Sequence, residues 1–203
     1  MGKTALQLSI VLLFLAFVTG CPHSGSRVGQ DRTEQARQHL QRGLELVKDG
    51  QRDQALTELD KAIALDPNWI LLHYNRSIIY SQLGQIANEE AGYRRVIELA
   101  PLASKKERGR VLAASYYNLV FITLARGQVD QAFIYLDKAL TEATHVEDYY
   151  HDIVGNKDLA VLRADDRFEP LMRRYWPDYG QIVGKLPSNS HKTESAIGEP
   201  PRR

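Results

Sequence analysis

The chain has 203 residues, with 26 Lys and Arg against 25 Asp and Glu, and 43% of it is hydrophobic, which is the size and make-up of one modest folded domain with attachments. Without its first twenty residues it holds 25 basic and 25 acidic groups, and that balance argues against a general nucleic-acid binder, which carries a basic excess. Cys21 is the only cysteine, so neither an intramolecular disulfide nor a cysteine metal cage can form, and the core must rest on packing.

Lys3 gives the start of the chain a positive charge, and residues 10–18 are an unbroken apolar run of nine. That run has the length of a secretory-signal core and falls far short of the ~20 residues that span a bilayer, so residues 1–20 read as a signal peptide. Val18-Thr19-Gly20-Cys21, directly after it, resembles the lipobox of bacterial lipoproteins. The resemblance implies that Cys21 becomes a lipidated N-terminus whose several acyl chains anchor the protein stably. Lipidation also accounts for an unpaired thiol in an exported chain; the alternative is an ordinary signal with an incidental cysteine. Pro22 rather than Asp follows, which favours the outer over the inner membrane. Residues 21–31 contain Gly and Ser and are expected to form a flexible tether, spanning roughly 17 Å over ten residues.

The middle of the chain is periodic. Gly50 and Gly84, and likewise Pro67 and Pro101, stand 34 residues apart, and residues 36–69 laid over 70–103 share seven identities where chance gives about two. A third unit repeats Gly50-Gln51, Asp53-Gln54-Ala55 and Leu59-Asp60-Lys61-Ala62 as Gly127-Gln128, Asp130-Gln131-Ala132 and Leu136-Asp137-Lys138-Ala139, at an offset of 77. That offset is nine longer than two periods, so an insertion lies at 102–110. Ser104 and Glu107 have capping-box spacing, which predicts that the insertion lengthens the following helix; a loop with a solvated basic run is the other reading.

This pattern resembles the tetratricopeptide repeat family over residues 34–145. The resemblance implies an all-α solenoid of three helix pairs over 32–145, closed by C-terminal capping helices over 146–180 and followed by a disordered tail over 181–203. Gly50, Gly84 and Gly127 fall where each first helix stops, a place for left-handed backbone. Asp53 and Asp130 are expected to N-cap the second helices, and Ala55 and Ala132 to sit at close helix crossings. Ser77 and Glu89 in repeat two, and Val120 and Thr144 in repeat three, depart from the family pattern, so wider crossings are expected there. Beyond Gly155-Asn156, the residues Asp158-Leu159, Leu162-Arg163, Asp165, Arg167-Phe168 and Leu171 resemble the segment that closes many bacterial arrays. Leu159, Leu162, Phe168, Leu171 and Met172 would supply its apolar face, and Pro170 is tolerable only in a first helical turn.

No G-x-S-x-G, glycine-rich phosphate loop or paired-carboxylate motif occurs, so an enzyme is not expected, nor a catalytic residue, cofactor or metal. The rival reading is a metal site from His145 and His151, which flank Glu147 and Asp148; His39 and His73 share one packing position in repeats one and two. In the family the first helix of each pair lines a concave groove, which implies a partner-binding row of Leu40, Gln41 and Leu44, then Tyr74, Asn75 and Ile78, then Tyr117, Asn118 and Phe121. Aromatic area with one amide per repeat suits a protein partner presenting a peptide or helix, unless the cap or neighbouring helices bury these residues. Asn75-Arg76-Ser77 with Tyr80 and Leu83-Gly84 resembles the carboxylate-clamp subfamily, but Leu40, Leu44, Ala114 and Asn118 at its other clamp positions are not basic. A free carboxylate would therefore go unpaired. The expected function is a membrane-anchored interaction scaffold in the bacterial envelope, facing the periplasm, without nucleic acid; the alternative is a self-associating structural lipoprotein or a pilotin-type assembly factor.

Overall fold

The computed structural model describes residues 24–143, 145 and 147–179. The signal segment, Cys21 and the tail over 181–203 lie outside the described residues. Nine α-helices occur among those described: α1 (Ser24–Lys48), α2 (Arg52–Leu65), α3 (Ile70–Gln82), α4 (Ile86–Leu99), α5 (Lys105–Ala125), α6 (Val129–Glu142), α7 (Glu147–Gly155), α8 (Ala160–Arg163) and α9 (Phe168–Tyr175). Three-residue 3-10 turns at Ala100–Leu102 and Lys157–Leu159 complete the order.

The helices pack as the period predicts. α1 lies on α2, α3 on α4 and α5 on α6, while α2 on α3 and α4 on α5 join successive pairs and α3 touches α5 directly. Each pair turns at a glycine in the left-handed region, with φ of 77° at Gly50, 69° at Gly84 and 72° at Gly127. Each turn is closed in the same way: the N–H groups of Gln51, Gln85 and Gln128 donate to the carbonyls of Leu46, Tyr80 and Thr123 at 2.8, 2.9 and 2.9 Å.

The expected aspartate N-caps are not formed. Gln51 and Gln128 hold the cap positions, and Asp53 and Asp130 stand inside the first turn, because the helix restarts two residues after the glycine. There they act by charge near the positive end of the helix dipole. The tether expectation also changes: α1 begins at Ser24, so most of 21–31 is helical. Once a helix is nucleated each further residue adds a hydrogen bond, and the Thr33 hydroxyl donates to the Gly29 carbonyl at 3.0 Å within this stretch.

The insertion extends α5 rather than forming a loop. Ser104 Oγ accepts the Glu107 N–H at 3.3 Å, one half of the predicted capping box. The Glu107 carboxylate does not return to Ser104 but turns inward toward Leu71 and Trp69 at the start of α3, where burial raises its pKa and leaves its Oε1 without a partner among the described residues.

In repeat two the helices cross closely despite Ser77, contrary to the wider crossing expected. The missing side chain is on the other helix: a Cβ on Gly92 of α4 would lie 1.9 Å from Ser77 Oγ and 3.2 Å from its Cβ. Ser77 satisfies its own hydroxyl by donating to the His73 carbonyl at 2.8 Å. Glu89, where the family usually has alanine, is buried, and burial raises its carboxyl above the ordinary glutamate range against a weaker opposing bond from Ser81.

The end of the stack is a divergent fourth pair. α7 starts at Glu147, one 34-residue period after Ala113, and so takes the place of another first helix. The second helix of that pair is replaced by the 3-10 turn, α8 and α9, of which α8 packs on α6. Leu159, Leu162, Phe168, Leu171 and Met172 are all buried, as a covering face requires. Pro170 is the third residue of α9, inside its first turn, where its missing N–H removes no helical bond.

Candidate functional site

The nine groove candidates occupy equivalent registers on α1, α3 and α5, but they do not form one exposed row. Leu40, Leu44, Tyr74 and Asn75 are buried within the chain, Gln41 is exposed, and Ile78, Tyr117, Asn118 and Phe121 are half-buried. Burial removes the first four from any contact surface and makes them core. Tyr74 sits with its ring centroid 6.0 Å from that of Tyr93 on α4, and its hydroxyl faces the Asn118 side chain. Burial raises its pKa, so it stays a neutral phenol.

The amides are also partly spent inside the fold. Asn75 Nδ2 donates to the Leu71 carbonyl at 2.8 Å and Asn118 Nδ2 to the Ala114 carbonyl at 2.9 Å, each one turn back on its own helix. Tyr117 is engaged by the cap. Its hydroxyl donates to Asp152 Oδ2 of α7, and its ring meets Tyr149 edge-on at 5.1 Å and Phe121 at 5.2 Å. Burial and the adjacent carboxylate both push the Tyr117 hydroxyl well above its ordinary pKa. What stays accessible is Gln41 on α1, Ile78 on α3, and Asn118 and Phe121 on α5.

Several residues that set this geometry carry no motif. Arg163 Nη1 donates to the carbonyls of Ile153 at 3.0 Å and Asn156 at 2.6 Å, and so closes the C-terminal end of α7. Arg167 Nη1 donates to Asp130 Oδ1 at 2.7 Å while its guanidinium lies 4.4 Å from the Phe133 ring centroid, tying the closing segment to α6. Arg167 also bonds Asp165, whose carboxyl is held down to about 2. Arg174 and Tyr175 of α9 bond Asp137 Oδ1 at 2.7 and 2.6 Å. These aspartates, Asp130, Asp137 and Asp165, are each paired with arginine or tyrosine of the closing segment.

His39 Nδ1 and Glu58 Oε2 lie 2.7 Å apart across α1 and α2, and Lys61 Nζ reaches the same carboxylate at 2.6 Å. His73 Nε2 bonds the Pro67 carbonyl at 2.8 Å, and burial lowers its pKa. The two histidines therefore hold helix pairs and the α2–α3 connection together. Among the described residues no group of three or more His, Cys, Asp or Glu side chains is placed to hold a metal ion; His145 is exposed, and the His151 side chain lies outside the described residues. No helix among the described residues is long and apolar enough to cross a membrane.

Antiparallel helix pairs with one turn chemistry, stacked in succession and closed by an amphipathic segment, define a helical-repeat protein. A family model described as TPR repeat matches residues 43–84 and one described as Tetratricopeptide repeat matches residues 71–101. The chain contains tetratricopeptide repeats over residues 43–101. Such repeats are protein–protein interaction modules. No curated protein sequence matches the chain.

Proposed function

We propose that this protein is a lipid-anchored interaction scaffold of the bacterial envelope. Cys21 carries the lipid, the helical stack faces the periplasm with the outer membrane as its favoured site, and a protein partner binds on the first helices as a peptide or helix. What supports the groove is solvent access at two neighbouring registers of the first helices, one at Gln41 and Asn118 and the other at Ile78 and Phe121, although Asn75 and Leu44 bury each register in one of the three pairs. Ile78 and Phe121 offer apolar area and Gln41 and Asn118 offer amides, the combination a peptide backbone with apolar side chains needs. What supports the anchor is Val18-Thr19-Gly20-Cys21 directly after the apolar run.

Affinity capture from envelope extract tests the groove. A partner held by the native chain and lost with Ile78→Ala/Phe121→Ala, both variants being folded, is the expected outcome. Equal retention by both would place partner binding on another face. For the anchor, Cys21→Ser should release the protein from membranes or stall processing; unchanged fractionation and unchanged mass would refute lipidation.

A further inference from the structure

The starts of α1, α3 and α5 gather at one edge of the molecule. Helices alternate in direction along the chain, so these three run parallel, and two contacts locate their starts together. Arg32 Nη2 of α1 donates to the Leu65 carbonyl at 3.1 Å, while Glu107 of α5 faces Trp69 and Leu71. Both contacts flank the single short α2–α3 connection. α1 continues eight residues before Arg32, or ~12 Å of helix, to Ser24, three positions after Cys21.

The insertion projects from this same edge. Four of the first six residues of α5 are basic, Lys105, Lys106, Arg108 and Arg110, and the one acid among them, Glu107, is turned inward to α3. Lys105, Arg108 and Arg110 form no ion pair with another described residue. Cations at a helix start oppose the dipole, so this placement costs stability and is not explained by the fold. Beside them Leu102 is 69% exposed, the most exposed of the large apolar residues described. Of the acids toward the same edge, Glu34 and Glu98 are paired with Arg37 and Arg95, and Asp66 of the α2–α3 connection stands close enough to Glu107 to act on its carboxyl.

We infer that this edge, formed by Leu102, Lys105, Arg108 and Arg110, docks on an anionic phospholipid surface. Unpaired cations beside an exposed apolar side chain match a bilayer interface, where charge meets headgroups and the leucine enters the acyl boundary. The orientation follows from the anchored reading proposed above: acyl chains on Cys21 bring the membrane to the end where α1 begins. Docking there leaves the accessible groove residues on α1, α3 and α5 standing roughly upright from the bilayer.

The test is co-sedimentation of residues 22–203, which include every residue of the described fold, with vesicles of phosphatidylcholine alone or mixed with phosphatidylglycerol. Binding should require phosphatidylglycerol and fall with added salt. Lys105→Gln/Arg110→Gln, at two exposed positions, should weaken it about twenty-five-fold, about fivefold per cation, with unchanged circular dichroism. Leu102→Ser should weaken it further. Indifference to phosphatidylglycerol, or equal binding by the charge variant, would overturn the inference, as would retention on polyglutamate without vesicle binding, which assigns the edge to an acidic protein. The mass of the membrane-purified full chain separates the two readings. Vesicle binding with an unmodified Cys21 sinks the anchor and keeps the docking edge, whereas an acylated Cys21 without a phosphatidylglycerol preference does the reverse.

Discussion

Replacing Gly92 with alanine puts a methyl group where the Ser77 hydroxyl already is. The added carbon would lie 1.9 Å from Ser77 Oγ, 3.2 Å from Ser77 Cβ and 3.5 Å from the His73 carbonyl oxygen. Rotating the hydroxyl away relieves the first contact but breaks its 2.8 Å bond to His73 in a buried site, which costs about 1–3 kcal/mol. The Cβ contact remains tight, and parting α3 from α4 to relieve it costs about another 1–3 kcal/mol as overpacking. Against this, alanine is the better helix former by about 1 kcal/mol. The net loss should be about 3 kcal/mol, read from the urea midpoint at unchanged slope. Ser77→Ala/Gly92→Ala removes the 1.9 Å contact and the orphaned hydroxyl together, so it should be more stable than Gly92→Ala alone and show a coupling of about 1 kcal/mol or more. A Gly92→Ala protein as stable as the native one, or strict additivity in the pair, would refute the claim that these two residues share one volume.

Glu89 makes stability depend on pH in a definite direction. Burial holds its folded-state pKa above the unfolded value, so the native state keeps a proton that the unfolded chain has released, and stability falls as pH rises from the ordinary glutamate range through the raised value. Glu89→Gln should abolish that fall and melt higher at neutral pH; parallel melting curves against pH for the two proteins would refute it. Tyr117→Phe removes the hydroxyl that α7 holds through Asp152 and should cost about 1.5 kcal/mol, with faster amide exchange over residues 147–155 and little change in α1 to α4. Uniform loss of protection across the chain would show that α7 does not open separately.

The helix pairs were legible because they rest on local chemistry that recurs from one pair to the next, at 34 residues and then, across the insertion, at 43. Gly50, Gly84 and Gly127 each end a helix through one residue's backbone freedom, and Ser104 begins one through its own side chain. The cap was legible in part: Leu159, Leu162, Phe168, Leu171 and Met172 spell an apolar face. α7 was not, since its place depends on Tyr117 meeting Asp152 and Tyr149 from another pair. The groove was the least legible. Register alone put Tyr74 and Asn75 on a surface, and the neighbouring helices then covered them.

Period, turn positions and the apolar set are properties of short stretches of chain, and a pattern of residues is enough to specify them. Which side chains stay open to a partner depends on how far each helix extends and what crosses it. The lengthened α5 carries Glu107 onto the start of α3, Gly92 yields room to Ser77, and α7 covers Tyr117. Each of these joins residues that are distant in sequence and of unrelated type, so their chemistry exists only once the helices have packed.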